Sequence, residues 1–321
     1  MNLAVLSFRD LEYVTAVADN LHFGKAAAAC AVSQPTLSAQ VRKLEDYIGF
    51  DIFERTGRTV LVTERGAEVV AQARVILHEG RRLYEISQAS AEPLTGTFRL
   101  GIIATLGPYV TPLLLQPIRE RFPRLRLVLT EGLTHHLTQA LETGDIDAML
   151  ASPPLRSPDL TELPLFHEDL VLAVPRDHRL ATVPQVHLQD ILLDELILLN
   201  EGHCLRDQAL ALYPDRHPKQ GEHLQAASLE SLRQMVGAGI GCALLPRLAV
   251  QVGGLLDDMV AYRMIRGDLP RRAVSLFHRS SFGRIRDIRV LRDLIRDVMQ
   301  ALGTVTVHGR PGGDALPAIP P

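Results

Sequence analysis

The stretch FGKAAAACAVSQPTLSAQVRKLEDYIG, residues 23–49, decides the fold of the N-terminal part of the chain. Its alanine-rich first half predicts a short, closely packed helix that is interrupted at Val32-Ser33. Proline is tolerated in the first turn of a helix, so Pro35 is compatible with a new helix that begins near Ser33. The face of this helix that is predicted to be buried carries Leu37, Val41, Leu44 and Ile48, and Gly49 ends it.

The neighbouring segments extend this into a domain. Apolar residues at helical spacing predict a first amphipathic helix from Phe8 to Leu21. Residues 53–62 read as two short strands around Thr56-Gly57-Arg58, which is the shape of a wing. The sequence therefore predicts an N-terminal all-α winged helix-turn-helix domain over residues 1–63.

Residues 64–92 predict one long linker helix, with Thr63 as its N-cap. Its apolar residues follow a seam of alternating four- and three-residue steps and a seven-residue repeat: Val69, Ala73, Ile76, Gly80 and Leu83, with Val70, Leu77 and Tyr84. A short coiled-coil seam of this kind favours a dimer. The alternative is a helix that packs on its own domain.

The pattern changes to α/β beyond a hinge at Pro93 and Gly96. Strands alternate with helices, ending in a helix over Ile285–Leu302, and such units imply a mostly parallel sheet. We expect a two-lobed regulatory domain of the periplasmic-binding-protein type, with a cleft suited to small ligands. Lobe I is predicted over residues 97–165 plus 272–302, lobe II over 166–271, and a flexible tail over 303–321.

Composition excludes several classes of protein. The formal net charge is −3, so DNA binding would need a local patch, and no run of about 20 apolar residues predicts a membrane span. The N-terminus has no secretory signal pattern, and three scattered cysteines do not form a disulfide framework, which favours the reducing cytoplasm. No Cys/His cluster has zinc spacing, so we expect no metal and no cofactor.

Residues 23–45, continued through Gly49, Phe53, Arg55, Thr63 and Gly66, resemble the helix-turn-helix of LysR-type transcription regulators. Short polar side chains at a helix N-terminus can reach base edges, and wing arginines meet phosphate. The residues expected to contact DNA are Ser33, Gln34, Pro35, Thr36, Ser38, Arg42, Lys43, Arg55 and Arg58. Residues 1–91 hold 10 Lys+Arg against 11 Asp+Glu, so a protein-interaction module is the alternative.

Residues 202–209, GHCLRDQA, resemble the redox segment of the OxyR branch of that family. Thr105-Leu106-Gly107-Pro108-Tyr109 and residues 228–233 with 244–246 resemble its two lobes, so the similarity spans residues 1 to about 300. The resemblance implies a peroxide-responsive activator. It also implies that Thr105 and Thr134 hold peroxide or water near the sulfur of Cys204; the alternative is that both are ordinary turn residues.

The residues around Cys204 support a reactive thiol independently of the resemblance. Peroxide reacts with the thiolate, so the pKa of the cysteine must fall. Cys204 lies between His203 and Arg206, at the expected start of a helix whose dipole favours an anion. Asp207 would cap that helix or orient Arg206. The alternative is that Cys204 is only a small buried apolar residue.

The chain departs from the two-cysteine pattern of the OxyR branch. The position that aligns with the resolving cysteine is Tyr213, and Leu205 to Gly221 contains no cysteine. The oxidised form is then a sulfenic acid, a mixed disulfide with a small thiol, or a disulfide between subunits. Cys242 and Cys30 are expected to be buried and inert.

We therefore expect a cytoplasmic, nucleoid-associated regulator rather than an enzyme. Its expected partners are double-stranded operator DNA, further copies of itself as a dimer or tetramer, hydrogen peroxide as the signal, and RNA polymerase. The alternatives are a LysR-type regulator that binds a small metabolite between the lobes, a thiol peroxidase, and an envelope solute-binding protein.

Overall fold

The computed structural model describes residues 6–56, 59–87, 92–155, 157–213, 224–250, 258–266 and 271–308. The chain divides into two compact units, the first made of residues 1–91 with 143–145 and the second of residues 92–142 with 146–321. Each unit has its own apolar core.

The first unit has the predicted helices and wing strands. Its elements are α1 (Phe8–Asn20), α2 (Phe23–Ala29), α3 (Gln34–Ile48), β1 (Phe53–Thr56), β2 (Thr59–Val62) and α4 (Glu64–Ser87). Ser33 is the N-cap of α3, where its hydroxyl accepts the Thr36 N–H at 3.3 Å. Gly49 ends α3 with a left-handed backbone, φ 83°, which glycine adopts without strain.

The core of the first unit joins α3 to the wing. Leu37, Val41 and Leu44 are buried, as the helical spacing predicts, whereas Ile48 is only half-buried. The buried Glu45 carboxylate accepts the backbone N–H groups of Ile52 and Phe53, at 2.9 and 3.1 Å. A buried carboxylate satisfied in this way fixes the turn between α3 and β1.

Helix α4 packs against α1 along part of the predicted seam. Val70, Ala73 and Leu77 are buried there, so this half of the apolar stripe is used inside the unit, in agreement with the alternative interpretation. Leu83 is 75% exposed and remains available to a partner. The side chain of Tyr84 lies outside the described residues.

The second unit is α/β. Its first lobe begins with β3 (Gly96–Ile103), α5 (Gly107–Arg121), β4 (Leu125–Gly132), α6 (Thr134–Thr143) and β5 (Ala148–Ala151). The chain continues through β6 (Leu160–Pro175), β7 (Gln185–His187), β8 (Leu198–Leu199), α7 (Cys204–Ala211), β9 (Gln225–Ala226), α8 (Leu229–Gly237), β10 (Ala243–Pro246), β11 (Val260–Arg266), β12 (Arg271–Arg279), α9 (Ile285–Leu302) and β13 (Thr306–Val307).

The two lobes share the long strand β6. In the first lobe β3 pairs in parallel with β4 and β5, and β12 joins β5 to the first part of β6. The second part of β6 pairs with β10 and β11 in the second lobe. The chain therefore crosses between the lobes on β6 and again ahead of β12, close to residues 168–170 and 271–272.

The sequence missed several strands. The predicted strand Leu170–Val174 is only the end of β6, and β7, β11 and β13 were not predicted. The tail predicted to be flexible from Gly303 is ordered at its start, because Thr306 and Val307 pair with His167 and Phe166 of β6. Residues 309–321 lie outside the described residues. No helix within the described ranges is long and apolar enough to cross a membrane.

Gly66 provides a test of how the wing packs on α4. A Cβ at Gly66 would lie 2.2 Å from the backbone oxygen of Ile52. We expect Gly66→Ala to destabilise the first unit by about 1–3 kcal/mol, because backbone must move to admit the methyl group. Hydrogen exchange in the full chain should show faster exchange in peptides covering α3, the wing and the start of α4.

Gly24→Ala is the matched control. The added Cβ would come nearest to a side-chain atom, His22 Cε1, at 3.0 Å, and not to backbone. Equal exchange rates in Gly66→Ala and the natural protein would show that this packing is not tight.

Candidate thiol site and DNA-facing helix

Cys204 is the first residue of α7 and lies at the seam between the two lobes. It is half-buried, and its side chain packs against the core of the first lobe. The next residue, Leu205, is buried in the core of the second lobe. Successive helical side chains diverge in direction, so the start of α7 touches both lobes at once.

Two hydroxyls from the first lobe reach the Cys204 sulfur. Thr105 follows the end of β3 and is 2% exposed, and Thr134 is the first residue of α6. Both side chains hydrogen-bond to Cys204, and these bonds favour the thiolate. The structure thus brings together Cys204, Thr105 and Thr134.

Arg272 and Glu168 also belong to the site, and neither was predicted from the sequence. Arg272 is fully buried and donates from Nη1 to Thr105 Oγ1 at 3.0 Å. Its Nε donates to Glu168 Oε1 at 2.8 Å, and Glu168 is fully buried as well. No local signal could have paired them, because the two residues are 104 positions apart and each has a neighbour of the same charge.

The pKa of Cys204 is raised in this conformation, so the expected fall in pKa is wrong here. Burial is the largest cause, because a thiolate loses hydration between the lobes. The Arg272 charge and the Thr134 hydroxyl lower the pKa, Asp207 raises it, and Thr105 lowers it. The reduced site therefore holds a thiol whose ionisation depends on a balance of these opposing effects.

Arg206 and Asp207, which are close to Cys204 in sequence, do not have the roles expected for them. Arg206 donates to the Leu199 carbonyl at 2.9 Å, so Arg272, not Arg206, supplies the nearby positive charge. His203 is the N-cap residue of α7, without a side-chain cap bond, so Asp207 is not the cap. Burial lowers the pKa of His203, and its ring is hydrogen-bonded to the backbone of Ala227.

Burial raises the pKa of the other two cysteines as well, and Cys30 is only half-buried, whereas it was expected to be buried. Cys242 is buried, and loss of hydration raises its pKa to about 12. Its thiol donates to the Glu195 carbonyl at 3.4 Å. Burial also raises the pKa of Cys30, which ends α2 as its C-cap residue.

Tyr213 occupies a structural role at the end of α7. Its hydroxyl donates to the carbonyl of Ile191 at 3.3 Å, and its ring packs against the apolar core of the second lobe. A tyrosine cannot form a disulfide with Cys204, and Tyr213 makes a packing contact at this position.

The N-terminal part of α3 is exposed, as a DNA-reading helix requires. Six of the predicted contact residues are exposed and Ser38 is half-buried: Ser33, Gln34, Pro35, Thr36, Arg42 and Lys43. The hydroxyls of Ser33 and Thr36 are 2.7 Å apart and bond to each other. Arg55 lies in β1, but its side chain, like all of Arg58, is outside the described residues.

Within the described ranges, no group of three or more His, Cys, Asp and Glu residues is placed to hold a metal ion. The rings of His135 and His136 lie 3.9 Å apart in a tilted stack. This pair begins α6 beside the thiol site, and two imidazoles alone do not complete a metal site.

Comparisons with known proteins agree with this arrangement. Residues 8–67 match the model of the bacterial regulatory helix-turn-helix proteins of the lysR family, and residues 91–300 match the LysR substrate binding domain. The chain is 40% identical over 274 residues to the DNA-binding transcriptional dual regulator OxyR of Escherichia coli K12, covering 85% of this chain and 90% of that protein. It is 38% identical over 300 residues to a probable hydrogen peroxide-inducible genes activator of Streptomyces viridosporus, covering 92% and 95%.

Two solved structures are similar over most of the chain. A full-length OxyR of Pseudomonas aeruginosa with a cysteine-to-aspartate substitution has a TM-score of 0.74 at 36% identity, covering 91% of this chain and 95% of that one. A hydrogen-peroxide-bound OxyR mutant of Corynebacterium glutamicum has a TM-score of 0.60 at 28% identity, covering 92% and 94%.

The Thr134 hydroxyl can be tested by its effect on the thiol. We expect Thr134→Val to raise the pKa of Cys204 and slow its alkylation by iodoacetamide at pH 8 about 2–10-fold, since one thiolate hydrogen bond is lost. Mass spectrometry of the Cys204 peptide measures the rate.

Thr138→Val is the matched control on the same helix, because that hydroxyl donates to the Thr134 carbonyl, at 2.8 Å, and not to the sulfur. An equal slowing in both variants would contradict a direct role for Thr134.

Proposed function

We propose, for a chain that belongs to the LysR family of bacterial transcription regulators, that it is an OxyR-type regulator whose hydrogen peroxide sensor is Cys204. The observation that carries the proposal is the placement of the Cys204 sulfur among two hydroxyls and a buried arginine at the seam between the lobes. The proposed response to hydrogen peroxide rests on the names of the chain's relatives, which include hydrogen peroxide-inducible genes activators.

The chemistry of the proposed sensor is a two-electron oxidation of sulfur. The Cys204 thiolate attacks one peroxide oxygen, an S–O bond forms, and the O–O bond breaks. The products are a sulfenic acid and hydroxide, which takes a proton to become water. We propose that Thr105 and Thr134, which hydrogen-bond to the sulfur, also hold the peroxide, and that the buried Arg272 charge favours the thiolate from which attack starts.

The fate of the sulfenic acid distinguishes this chain from two-cysteine members. Tyr213 stands at the position that we align with the resolving cysteine. Cys242 is buried, and the pKa of its thiol is high. We propose that the sulfenic acid is the first signalling form, with a mixed disulfide or an intersubunit disulfide as later products.

Oxidation would act on the contact that the start of α7 makes with the first lobe. The Cys204 side chain packs there while Leu205 anchors α7 in the second lobe. An added oxygen overfills this packing, and α7 and its neighbours rearrange. In an oligomer held by the linker helix, residues 64–92, such a change would alter the spacing of the helix-turn-helix domains on DNA.

The proposed partners follow from the family and from the exposed helix. Operator DNA would be read by Gln34, Thr36 and Ser38, with Arg42, Lys43, Arg55 and Arg58 on phosphates. We further propose a dimer or tetramer, contact with RNA polymerase during activation, and a cytoplasmic location with the nucleoid. We also propose domain boundaries at residues 63, 92 and 303.

A metabolite-responsive regulator is the second candidate. It is favoured by the match of residues 91–300 to a domain described as substrate binding. In that case a small ligand would move the lobes, and oxidation of Cys204 would be incidental.

Mass spectrometry separates the candidates. We expect one equivalent of hydrogen peroxide to add one oxygen to the reduced protein within seconds to minutes, trapped at Cys204 by a sulfenic-acid reagent. Cys204→Ser should show no addition. Cys242→Ser should react like the natural protein, because burial keeps the Cys242 thiol protonated. An unmodified Cys204 would leave the metabolite-responsive regulator as the better account.

DNA reading is tested by two variants of α3 on genomic fragments that the protein selects. Gln34→Ala should weaken binding to selected fragments by about 1–3 kcal/mol, with little change on random DNA, because a base contact is lost. Arg42→Ala should weaken both similarly and reduce the salt dependence, since a phosphate contact carries no sequence information. Identical effects on both kinds of DNA in Gln34→Ala would contradict base reading.

A further inference from the structure

Glu168 and Arg272 form a buried ion pair where the chain crosses between the lobes. Both side chains are 0% exposed. Arg272 Nε donates to Glu168 Oε1 at 2.8 Å and Nη2 contacts the same oxygen. The second carboxylate oxygen of Glu168 accepts the Leu248 N–H at 3.2 Å. The carboxylate is therefore held in place by groups from β12 and from the segment after β10.

The other end of the Arg272 guanidinium faces the thiol. Nη1 donates to Thr105 Oγ1 at 3.0 Å, so that oxygen is occupied as an acceptor and its hydrogen is free to point to the Cys204 sulfur. One buried positive charge thus lies between two groups that can be negative, the Glu168 carboxylate and the Cys204 thiolate.

We propose that Glu168 is a positioning residue that sets how readily Cys204 ionises, because the carboxylate and the sulfur compete for the single charge of Arg272. This rests on the proposed function in one respect, namely that peroxide attacks the ionised sulfur. Neutralising Glu168 removes the carboxylate that Arg272 contacts and leaves its charge to the Cys204 sulfur, which makes the thiolate more stable and the sensor more sensitive.

The charges around the Cys204 sulfur explain why Glu168 is the residue to substitute. Arg272 is the largest influence that favours the thiolate, and Asp207 opposes it from the exposed side of α7. Burial lowers the pKa of the neighbouring His203, which disfavours a positive charge on its ring. A surface charge such as Asp207 is screened by water, whereas the field of a buried pair is not. Glu168 acts on the sulfur through the Arg272 charge that it contacts, whereas Asp207 acts directly from the surface of α7.

The test is the pH dependence of Cys204 alkylation in the full chain. Iodoacetamide labelling, followed on the Cys204 peptide by mass spectrometry, reports the thiolate fraction without using peroxide. For Glu168→Gln we expect the alkylation midpoint to move to lower pH and the rate at pH 7 to rise about tenfold, as expected for a pKa lower by about one. An unchanged midpoint, or one at higher pH, would overturn the proposal.

Asp169→Asn is the matched control, because it removes the same charge one residue away. Asp169 is also buried, but it accepts from Arg271 at 3.0 Å, and Arg271 is half exposed. We expect the alkylation midpoint of Cys204 to stay within the error of the natural protein. An equal shift in both variants would show a general field effect and would overturn the specific role of Glu168.

Arg272→Lys covers the case in which Glu168→Gln does not fold. It keeps the buried charge pair, but an ammonium cannot bridge Glu168 and Thr105 as the guanidinium fork does. The ammonium should stay with Glu168, so alkylation at pH 7 should slow at least threefold and the midpoint should move to higher pH. An unchanged midpoint would overturn the proposal.

Peroxide oxidation of the same variants separates this inference from the proposed function. If Glu168→Gln speeds alkylation but neither protein is oxidised at Cys204, the competition for Arg272 stands and the peroxide function fails. If both proteins are oxidised at equal rates and alkylated equally, the peroxide function stands and the role of Glu168 fails.

Discussion

The proposed function places one costly constraint on the second unit, which is that the Cys204 sulfur must ionise where it is partly removed from water. Removing a thiolate from water is unfavourable, and burial is the largest influence on the pKa of Cys204. The opposing groups come from the ends of separate elements: Thr105 after β3, Thr134 at the start of α6 and Arg272 near the start of β12. None of them is a neighbour of Cys204 in sequence, so the fold itself creates the site.

The same constraint explains why a small chemical change could move the lobes. Cys204 packs on the first lobe while Leu205 packs in the second, so the first two residues of α7 contact both lobes. Overfilling such packing by one atom costs about 1–3 kcal/mol. That is comparable to the coupling energies of about 1–3 kcal/mol found in allosteric proteins.

The sequence predicted what local patterns encode. Helical spacing gave α1, α3 and α9 closely, Ser33 and Gly49 gave the limits of α3, and α7 begins at Cys204 as expected. Local reasoning failed where distant residues meet. Arg206 was chosen for its closeness in sequence, whereas Arg272 provides the charge from β12. Likewise the fall expected for the pKa of Cys204 ignored burial, which depends on packing that no short segment reveals.

The proposed one-cysteine sensor limits how its signal could end. If no resolving cysteine stands near Tyr213, a thiol from outside would have to approach the oxidised Cys204 sulfur to reduce it. The sulfur is half-buried where α7 packs on the first lobe, so we expect the start of α7 to move during that approach. At the other end of α7, the ring and hydroxyl of Tyr213 are anchored in the second lobe. In this proposal the start of the helix opens while its end stays fixed, so oxidation and reduction both depend on one local movement.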